Sequence, residues 1–438
     1  MRPTALRPGI PRVITYGVIA AAAIVAVRNA TVYPAILGYD AAEAVDYARG
    51  LVEHGQLPDA TGSYYTPPGF FAIGGAGIEL GEWLGLDHPE RLGQVFNALA
   101  AVGTLLLLLA LVRLLWPGRE VLHLAAVVFF VVCPVVMKSA AMFHPEPLSM
   151  LLATAALVLA ARMLVRSDYR LRLAALLGVT LGLAQLVRAW TLWTVGVVVL
   201  VLVVTAVTRA RDRRQLLRAV AVVAAVAVLV PAPWYAHQLA RYDSPVFGQP
   251  HPSEPVWSRR PIGFFVRTGL PEVITSPYRP SFSREFLPIA FTEVWGDYFG
   301  VWRWFPDRGP PSVSVRRELV SMSIVGIPFT LVAIAGWLAL LGLAVRHPGR
   351  SPERMLVALL PLAALAGVVY FSTAYPTPDG DTVKGSFMLT AVPAWAASFG
   401  FAFDGLRDRF GRFSLLFLVV LAVCSLASVP FLFAVARL

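Results

Sequence analysis

The sequence predicts an all-α protein that crosses a membrane many times. Hydrophobic residues make up 57% of the 438-residue chain and charged residues only 14%, which is too few to cover the surface of a soluble protein of this size. The apolar residues form runs of about twenty, long enough for a helix to cross a ~30 Å hydrocarbon layer. The runs lack the alternating pattern of a membrane barrel, and backbone groups in lipid must be satisfied within their own segment, so helices are expected.

About eleven spanning helices are predicted, in one transmembrane domain over residues 1–438. The runs cover 14–34, 93–115, 121–142, 147–166, 172–190, 191–208, 217–236, 321–345, 355–374, 386–404 and 414–436. Two long outer segments, the first extracytoplasmic loop at 35–92 and a second at 237–317, are expected to carry short amphipathic helices. The first run has a basic start but no clear cleavage site, which favours an uncleaved helix over a signal peptide.

The net charge of +11 follows the topology and does not indicate a nucleic-acid partner. If the N-terminus is cytoplasmic, every short cytoplasmic segment carries at least two arginines, as the positive-inside rule requires. Cys133 and Cys424 both lie in apolar runs and show neither a disulfide pattern nor a metal-binding pattern. We therefore expect a multi-pass protein of the cell membrane, in a bacterial plasma membrane, with the lipid bilayer as a partner.

The first outer loop begins with a candidate site at its membrane end. Helical spacing places Asp40, Glu43 and Tyr47 on one face. A carboxylate such as Asp40, a few residues from the membrane surface, suits a general base or a metal ligand. The alternative is an ordinary solvated helix with Asp40 as its N-cap.

Two further outer segments hold polar residues in rigid settings. Tyr64 and Tyr65 precede a Pro-Pro pair that fixes extended backbone, and this element either contacts substrate or forms a turn packed on the membrane. The very short loop after the third run contains His144 and Glu146 between prolines. These side chains either face a metal or a phosphate, or Glu146 caps the next helix.

Arg188 and Lys384 are the candidate cations. Arg188 lies at the outer end of the fifth run and Lys384 just before the tenth. A charge at such a position needs a partner, for which a carboxylate or a lipid phosphate is suitable, unless it merely extends to the interface. No P-loop, serine nucleophile elbow or HExxH sequence is present, so ATP or a nucleotide sugar has no evident site.

Taken together, these segments resemble the glycosyltransferase C superfamily, particularly its protein O-mannosyltransferases and lipid A aminoarabinose transferases. The likeness lies in an acidic residue after the first helix (Tyr39-Asp40), the Tyr64-to-Pro68 element, and a second acidic residue, Glu146, between the third and fourth helices. It covers about the first 200 residues in motif and the rest only in layout.

The resemblance implies transfer of a sugar from a polyprenyl-phosphate donor to a glycan, lipid or protein acceptor on the outer face. Asp40 would be the catalytic base, and Glu146 the second acidic residue that positions the donor or, with Asp40, a divalent metal. Many relatives have Asp at the second position, and Glu is longer. Arg188 and Lys384 would contact the lipid phosphate, and Glu43, Tyr64, Tyr65 and His144 would contribute to substrate binding.

Two other functions fit part of the pattern. A flippase or transporter of lipid-linked glycans is the main alternative, although repeated halves and broken midplane helices, which are typical of transporters, are not evident. An O-antigen-ligase-type enzyme would place its arginines and histidines mainly in a late outer loop. Replacement of Asp40 with Asn separates the first two functions, because only the enzyme needs a base there.

Overall fold

The protein is helical throughout the part of the chain that its structure, a computed structural model, describes. That part comprises residues 9–58, 65–209, 212–246, 254–281, 285–296, 311–377, 383–410 and 412–433, and it contains no strand. The all-α fold class predicted from the sequence is confirmed.

Eighteen α-helices are described. They are α1 (Gly9–Val32), α2 (Ala41–His54), α3 (Gly69–Trp83), α4 (Arg91–Leu115), α5 (Glu120–Val132), α6 (Pro134–Ala140), α7 (Glu146–Arg166), α8 (Leu171–Val187), α9 (Leu192–Thr208), α10 (Arg213–Leu229), α11 (Ala232–Tyr242), α12 (Ile262–Val266), α13 (Glu272–Thr275), α14 (Phe286–Trp295), α15 (Val313–Arg346), α16 (Pro352–Ala374), α17 (Val392–Phe410) and α18 (Arg412–Phe433). A 3-10 helix, Gly385–Ala391, leads into α17.

Over the residues that the structure describes, all eleven predicted runs fall on helices, but the predicted number of spans is not confirmed. Seven of the described helices, some including an adjoining 3-10 turn, are long and apolar enough to cross a membrane. Two bent pairs raise the number to nine: α5 with α6, at 61°, and α10 with α11, at 46°. Helix α8 and the described apolar part of α18 are shorter. Pro134 and Pro231 stand at the two bends, where proline interrupts the helical hydrogen bonds.

The long helices pack closely because small residues lie at their crossings. A Cβ on Gly178 of α8 would lie 2.8 Å from Val226 of α10, and a Cβ on Gly182 would lie 2.5 Å from Val230, directly after α10. A Cβ on Gly400 of α17 would lie 2.6 Å from the carbonyl oxygen of Leu122 in α5. In lipid, such close backbone approach supplies much of the packing energy between helices.

The first outer loop folds into two helices, of which α2 is amphipathic as predicted. Tyr47 of α2 is buried and stacks on Phe71 of α3 with ring centroids 4.0 Å apart. Asp40 and Glu43 are exposed and Tyr47 is buried, so these three residues do not form one solvent-facing surface. The aromatic ring gains more from packing against α3 than from facing water.

At the opposite end of the bundle, an ion pair with a buried carboxylate joins two helices. Arg119, before α5, donates to Asp404 of α17 at 2.5 Å, and Arg407 lies 3.2 Å from the same carboxylate. Only 1% of the Asp404 side chain is exposed. This end carries the connections that the charge pattern predicts to be cytoplasmic.

The second long outer segment is fastened to the end of a spanning helix. Arg259 donates to the carbonyl of Ala374 at 2.8 Å, and Arg260 donates to the carbonyls of Ser372 and Thr377. These carbonyls include the last of α16, which have no partner within the helix. Guanidinium groups are favourable there because the C-terminal end of a helix carries partial negative charge.

Candidate functional site

Asp40 is held by an unusual backbone and faces a lysine. Its φ of 53° lies in the left-handed region, which Asp tolerates better than most residues. Although Asp40 occupies the N-cap position of α2, its side chain makes no capping hydrogen bond. Instead Oδ2 lies 3.7 Å from Nζ of Lys384, and 42% of the Asp40 side chain is exposed. The carboxylate is therefore accessible and points toward the segment that precedes α17.

Glu146 is buried between a histidine and an arginine. Its Oε2 contacts Nδ1 of His144, and its Oε1 lies 3.0 Å from Nη2 of Arg188. Only 2% of the Glu146 side chain and 15% of the Arg188 side chain are exposed. Burial of one charge is tolerated here because the opposite charge is buried with it.

The short loop that carries His144 is fixed by two amides of α4. Gln94 donates to the carbonyl of Ala141 at 2.7 Å, and Asn97 donates to the carbonyls of Met142 and His144 at 2.8 and 2.7 Å. Both amides are buried. They satisfy carbonyls that the turn between α6 and α7 leaves without helical partners, so the position of His144 is set by α4.

The aromatic ring beside His144 also restricts this loop. Phe143 is fully buried and packs edge-to-face on Phe70 of α3 at 5.2 Å. A Cβ on Gly74 would lie 2.6 Å from the tip of the Phe143 ring, and a Cβ on Gly93 would also collide with it. The two glycines therefore let the loop enter between α3 and α4.

His144 lies between the two ion pairs. Burial and the nearby charges of Arg188 and Lys384 hold the pKa of the His144 ring well below its usual range. A hydrogen bond to the backbone of Tyr39 favours the charged form, but its effect is smaller. The ring is thus neutral at physiological pH and touches the residue next to Asp40. Through this histidine, the pairs Asp40–Lys384 and Glu146–Arg188 form one cluster at one end of the bundle.

Arg188 is further surrounded by polar and aromatic groups. Its Nη1 donates to Oγ1 of Thr66 at 3.4 Å, and its guanidinium lies 5.8 Å from the ring centre of Phe387. Trp190 packs on Phe387 at 4.6 Å. The Pro-Pro element thus reaches the cluster through Thr66.

A second buried cluster next to Asp40 was not predicted from the sequence. Tyr39 donates to Oε1 of Glu293 in α14 at 2.5 Å, and Arg279 donates to the same oxygen at 2.7 and 3.0 Å. Burial raises the pKa of the Glu293 carboxyl to about 7, although Arg279, Tyr39 and the amide of Gly385 favour its ionised form. The sequence feature that could have revealed this cluster is the acidic residue Glu293 within an apolar segment.

Five of the eight predicted site residues are brought together: Asp40, His144, Glu146, Arg188 and Lys384. Glu43 is exposed on the first turn of α2, and Tyr65 is half-buried before α3. Tyr64 lies outside the described residues.

Among the described residues, Asp40 and Glu146 are not grouped with a third candidate ligand for a divalent metal. Within the described ranges, no three His, Cys, Asp or Glu side chains are grouped so that they could hold a metal. Asp40 and Glu146 each face a cationic side chain, and His144 lies near both cations. A divalent cation at this site would be repelled by the positive charges of Arg188 and Lys384.

A shallow and largely open apolar groove of about 550 Å³, lined only by residues of α9, runs along one face of that helix from Leu192 to Val203. It begins one helical turn after Arg188 and extends for roughly 17 Å at the α-helical rise. Apart from a small polar contribution its walls are apolar.

No protein-family model and no curated protein matches the sequence. Solved structures do match. The oligosaccharyltransferase AglB of Archaeoglobus fulgidus, tethered to an acceptor peptide, aligns over 96% of this chain with 13% identity and a TM-score of 0.58. A structure of AglB with an inhibitory peptide and dolichol-phosphate gives 13% identity and a TM-score of 0.55. ArnT of Cupriavidus metallidurans, bound to undecaprenyl phosphate, aligns over 93% of this chain with 17% identity and a TM-score of 0.53.

The chain spans only part of these proteins, 55% of AglB in the first structure and 63% of ArnT. At such low identity the match concerns the path of the helices, and functions do not follow from a fold alone. The glycosyltransferase C resemblance predicted from the sequence is therefore confirmed at the level of the fold: this chain has the helical architecture that AglB and ArnT share.

Proposed function

We propose that this protein is a membrane glycosyltransferase that moves a sugar from a polyprenyl-phosphate donor to a glycan, lipid or protein acceptor. The observation that carries the proposal is the accessible carboxylate of Asp40 beside the cluster of Lys384, His144, Glu146 and Arg188. Base and anion-binding groups thus lie together, as sugar transfer from a lipid phosphate requires. The solved structures with the same fold, AglB and ArnT, include complexes with dolichol-phosphate and undecaprenyl phosphate.

Asp40 is proposed as the general base. In a single displacement, the acceptor oxygen bonds to the anomeric carbon while the bond from that carbon to the phosphate oxygen breaks. The acceptor proton passes to Asp40, and the electron pair leaves with the polyprenyl phosphate. A positioned base contributes about 10²–10⁴-fold to such a step.

Lys384 and Arg188 are proposed to stabilise the departing phosphate. Negative charge grows on the leaving oxygens, and cations already in place lower the barrier because they need no reorganisation. Glu146 holds Arg188 and His144 in place, while the neutral His144 ring adds no competing charge between the two cations. Thr66 fixes the other side of the guanidinium.

The polyprenyl tail is proposed to lie in the groove along α9. The groove starts one turn from Arg188 and has apolar walls, so a lipid whose phosphate contacts Arg188 has a path for its chain. With the tail in this groove, the site would lie at the bilayer boundary, on the side that the charge pattern predicts to be extracytoplasmic. The segments 35–92 and 237–317 would then cover the site from outside, and the protein would be a multi-pass component of a bacterial plasma membrane.

The test compares Asp40→Asn with Asp46→Asn, an exposed acid on the same helix. The donor class is first identified as the polyprenyl-linked sugar that accumulates when the protein is removed from its cell. We expect Asp40→Asn to lose transfer of that sugar by about 100-fold or more, to bind undecaprenyl phosphate normally, and to remain folded. Asp46→Asn should behave as the parent protein does.

A flippase gives a different result in the same experiment. It would move the lipid across reconstituted vesicles without releasing polyprenyl phosphate, and Asp40→Asn would have little effect. That outcome would overturn the glycosyltransferase proposal.

A further inference from the structure

The buried pair of Glu293 and Arg279 holds both peptide groups that flank Lys384. Oε2 of Glu293 accepts a hydrogen bond from the backbone N–H of Gly385 at 3.1 Å. Nη2 of Arg279 donates to the carbonyl of Val383 at 2.5 Å. The backbone on either side of Lys384 is therefore fixed by one ion pair.

The same carboxylate also holds the neighbour of Asp40. Tyr39, whose hydroxyl donates to Oε1 of Glu293 at 2.5 Å, immediately precedes Asp40. The Lys384 ammonium lies 4.5 Å from the centre of the Tyr39 ring, which is within the range of a cation–π contact. Both members of the Asp40–Lys384 pair are thus tied to Glu293 through adjacent residues.

Glu293 can affect the site only by holding other residues in position. Glu293 is 0% exposed and Arg279 1% exposed, so neither reaches a substrate. The carbonyl oxygen of Glu293 would lie only 2.8 Å from a Cβ on Gly385, so the segment cannot shift toward α14. The C-terminal end of α14, close to Glu293, is also anchored, since Lys138 donates to the carbonyl of Gly296 at 3.2 Å.

We propose that Glu293 is a positioning residue that fixes Asp40 and Lys384 relative to one another. It acts through Tyr39 on one side and through Val383 and Gly385 on the other. The catalytic meaning of this arrangement rests on the proposed function, in which Asp40 is the base and Lys384 binds the phosphate. The geometric statement, that Glu293 sets the arrangement, is tested without any transfer reaction.

The test measures how readily positions 40 and 384 are cross-linked. In full-length protein with Cys133 and Cys424 replaced by Ala, Asp40→Cys and Lys384→Cys are joined by a short bis-maleimide in detergent. Adding Glu293→Gln should slow the cross-link by about tenfold, the factor that one hydrogen bond to a charged group supplies. Tyr39→Phe, which removes a single hydroxyl and leaves the ion pair intact, should slow it less.

The matched control is Asp404→Asn, which breaks the ion pair of a buried carboxylate with the half-exposed Arg119 at the other end of the bundle. A role limited to general stability predicts that Asp404→Asn and Glu293→Gln slow the cross-link equally, and that result would overturn the proposal. An unchanged rate in both Glu293→Gln and Tyr39→Phe would also overturn it. If Glu293→Gln does not fold, the Tyr39→Phe rate decides.

A second measurement connects the arrangement to activity. Glu293→Gln should lower kcat by between about tenfold and 100-fold, the loss that displacement of a reacting group by about 1 Å produces. In a Lys384→Met background the same change should have a smaller effect, because one of the two residues that Glu293 positions is already missing. The parent protein could lack transfer activity while Glu293→Gln still slows the cross-link. That combination would refute the proposed function but would leave the positioning role of Glu293 supported.

Discussion

Replacing Arg188 with methionine leaves the Glu146 carboxylate buried without its cation. The two side chains are 15% and 2% exposed and lie 3.0 Å apart. Removal of one partner of a buried pair costs about 3–5 kcal/mol. Since Arg188 is partly exposed, we expect about 3 kcal/mol, seen as a fall of several degrees in the thermal midpoint.

The assay is thermal unfolding of the purified protein in detergent, followed by tryptophan fluorescence, with and without undecaprenyl phosphate. Arg170→Met is the matched control, because Arg170 pairs with Asp168 at 2.7 Å but its side chain is 78% exposed. Exposed pairs contribute little to stability, so no measurable loss is expected there. Stabilisation by undecaprenyl phosphate should also disappear in Arg188→Met and persist in Arg170→Met.

A double variant separates charge from packing. Arg188→Met combined with Glu146→Gln removes both charges and should recover most of the lost stability, since replacing a whole buried pair costs far less than breaking it. Equal thermal midpoints for Arg188→Met and Arg170→Met would refute the reasoning. So would a double variant as unstable as Arg188→Met.

Two other predictions concern Glu293 and the groove along α9. Burial raises the pKa of Glu293 to about 7, so lowering the pH through that value protonates the carboxyl and weakens its bonds from Arg279, Tyr39 and the Gly385 amide. The transfer rate should therefore fall below pH 7 more steeply in the parent protein than in Glu293→Gln. A Gly196→Trp variant should fill the groove without disturbing the helices, because nothing lies within 4 Å of a Cβ at Gly196. We expect weaker binding of undecaprenyl phosphate but unchanged binding of a short-chain polyprenyl phosphate, measured by titration in detergent, and equal losses for both lipids would contradict the assignment of the groove to the tail.

Hydropathy and charge were sufficient to predict where the long helices lie, because the requirement for apolar, internally hydrogen-bonded segments acts locally along the chain. The breaks at Pro134 and Pro231 were less evident, although proline was a visible signal at both. The number of spans depends on how such bent pairs and the short helix α8 sit in lipid, which hydropathy alone does not fix.

The part of the candidate site that was predicted consists of residues in short polar segments at the outer ends of the apolar runs. Asp40, Glu146 and Arg188 each follow or precede an apolar run, where a charged side chain is costly unless it has a partner or a function. Glu293 was missed because its partner Tyr39 lies 254 positions away in the sequence, and only the packing of helices brings them together. Gln94 and Asn97 were missed because amides within an apolar run carry no charge and do not indicate which carbonyls they bind.

The left-handed backbone at Asp40 has a consequence for which acid can occupy this position. Among acidic residues, aspartate visits that conformation more readily because its short side chain can bond locally, whereas glutamate gains reach and loses backbone compatibility. An Asp40→Glu change would therefore relocate the carboxylate and strain the start of α2 at once, so the shape of the turn selects the identity of the acid independently of the chemistry it performs.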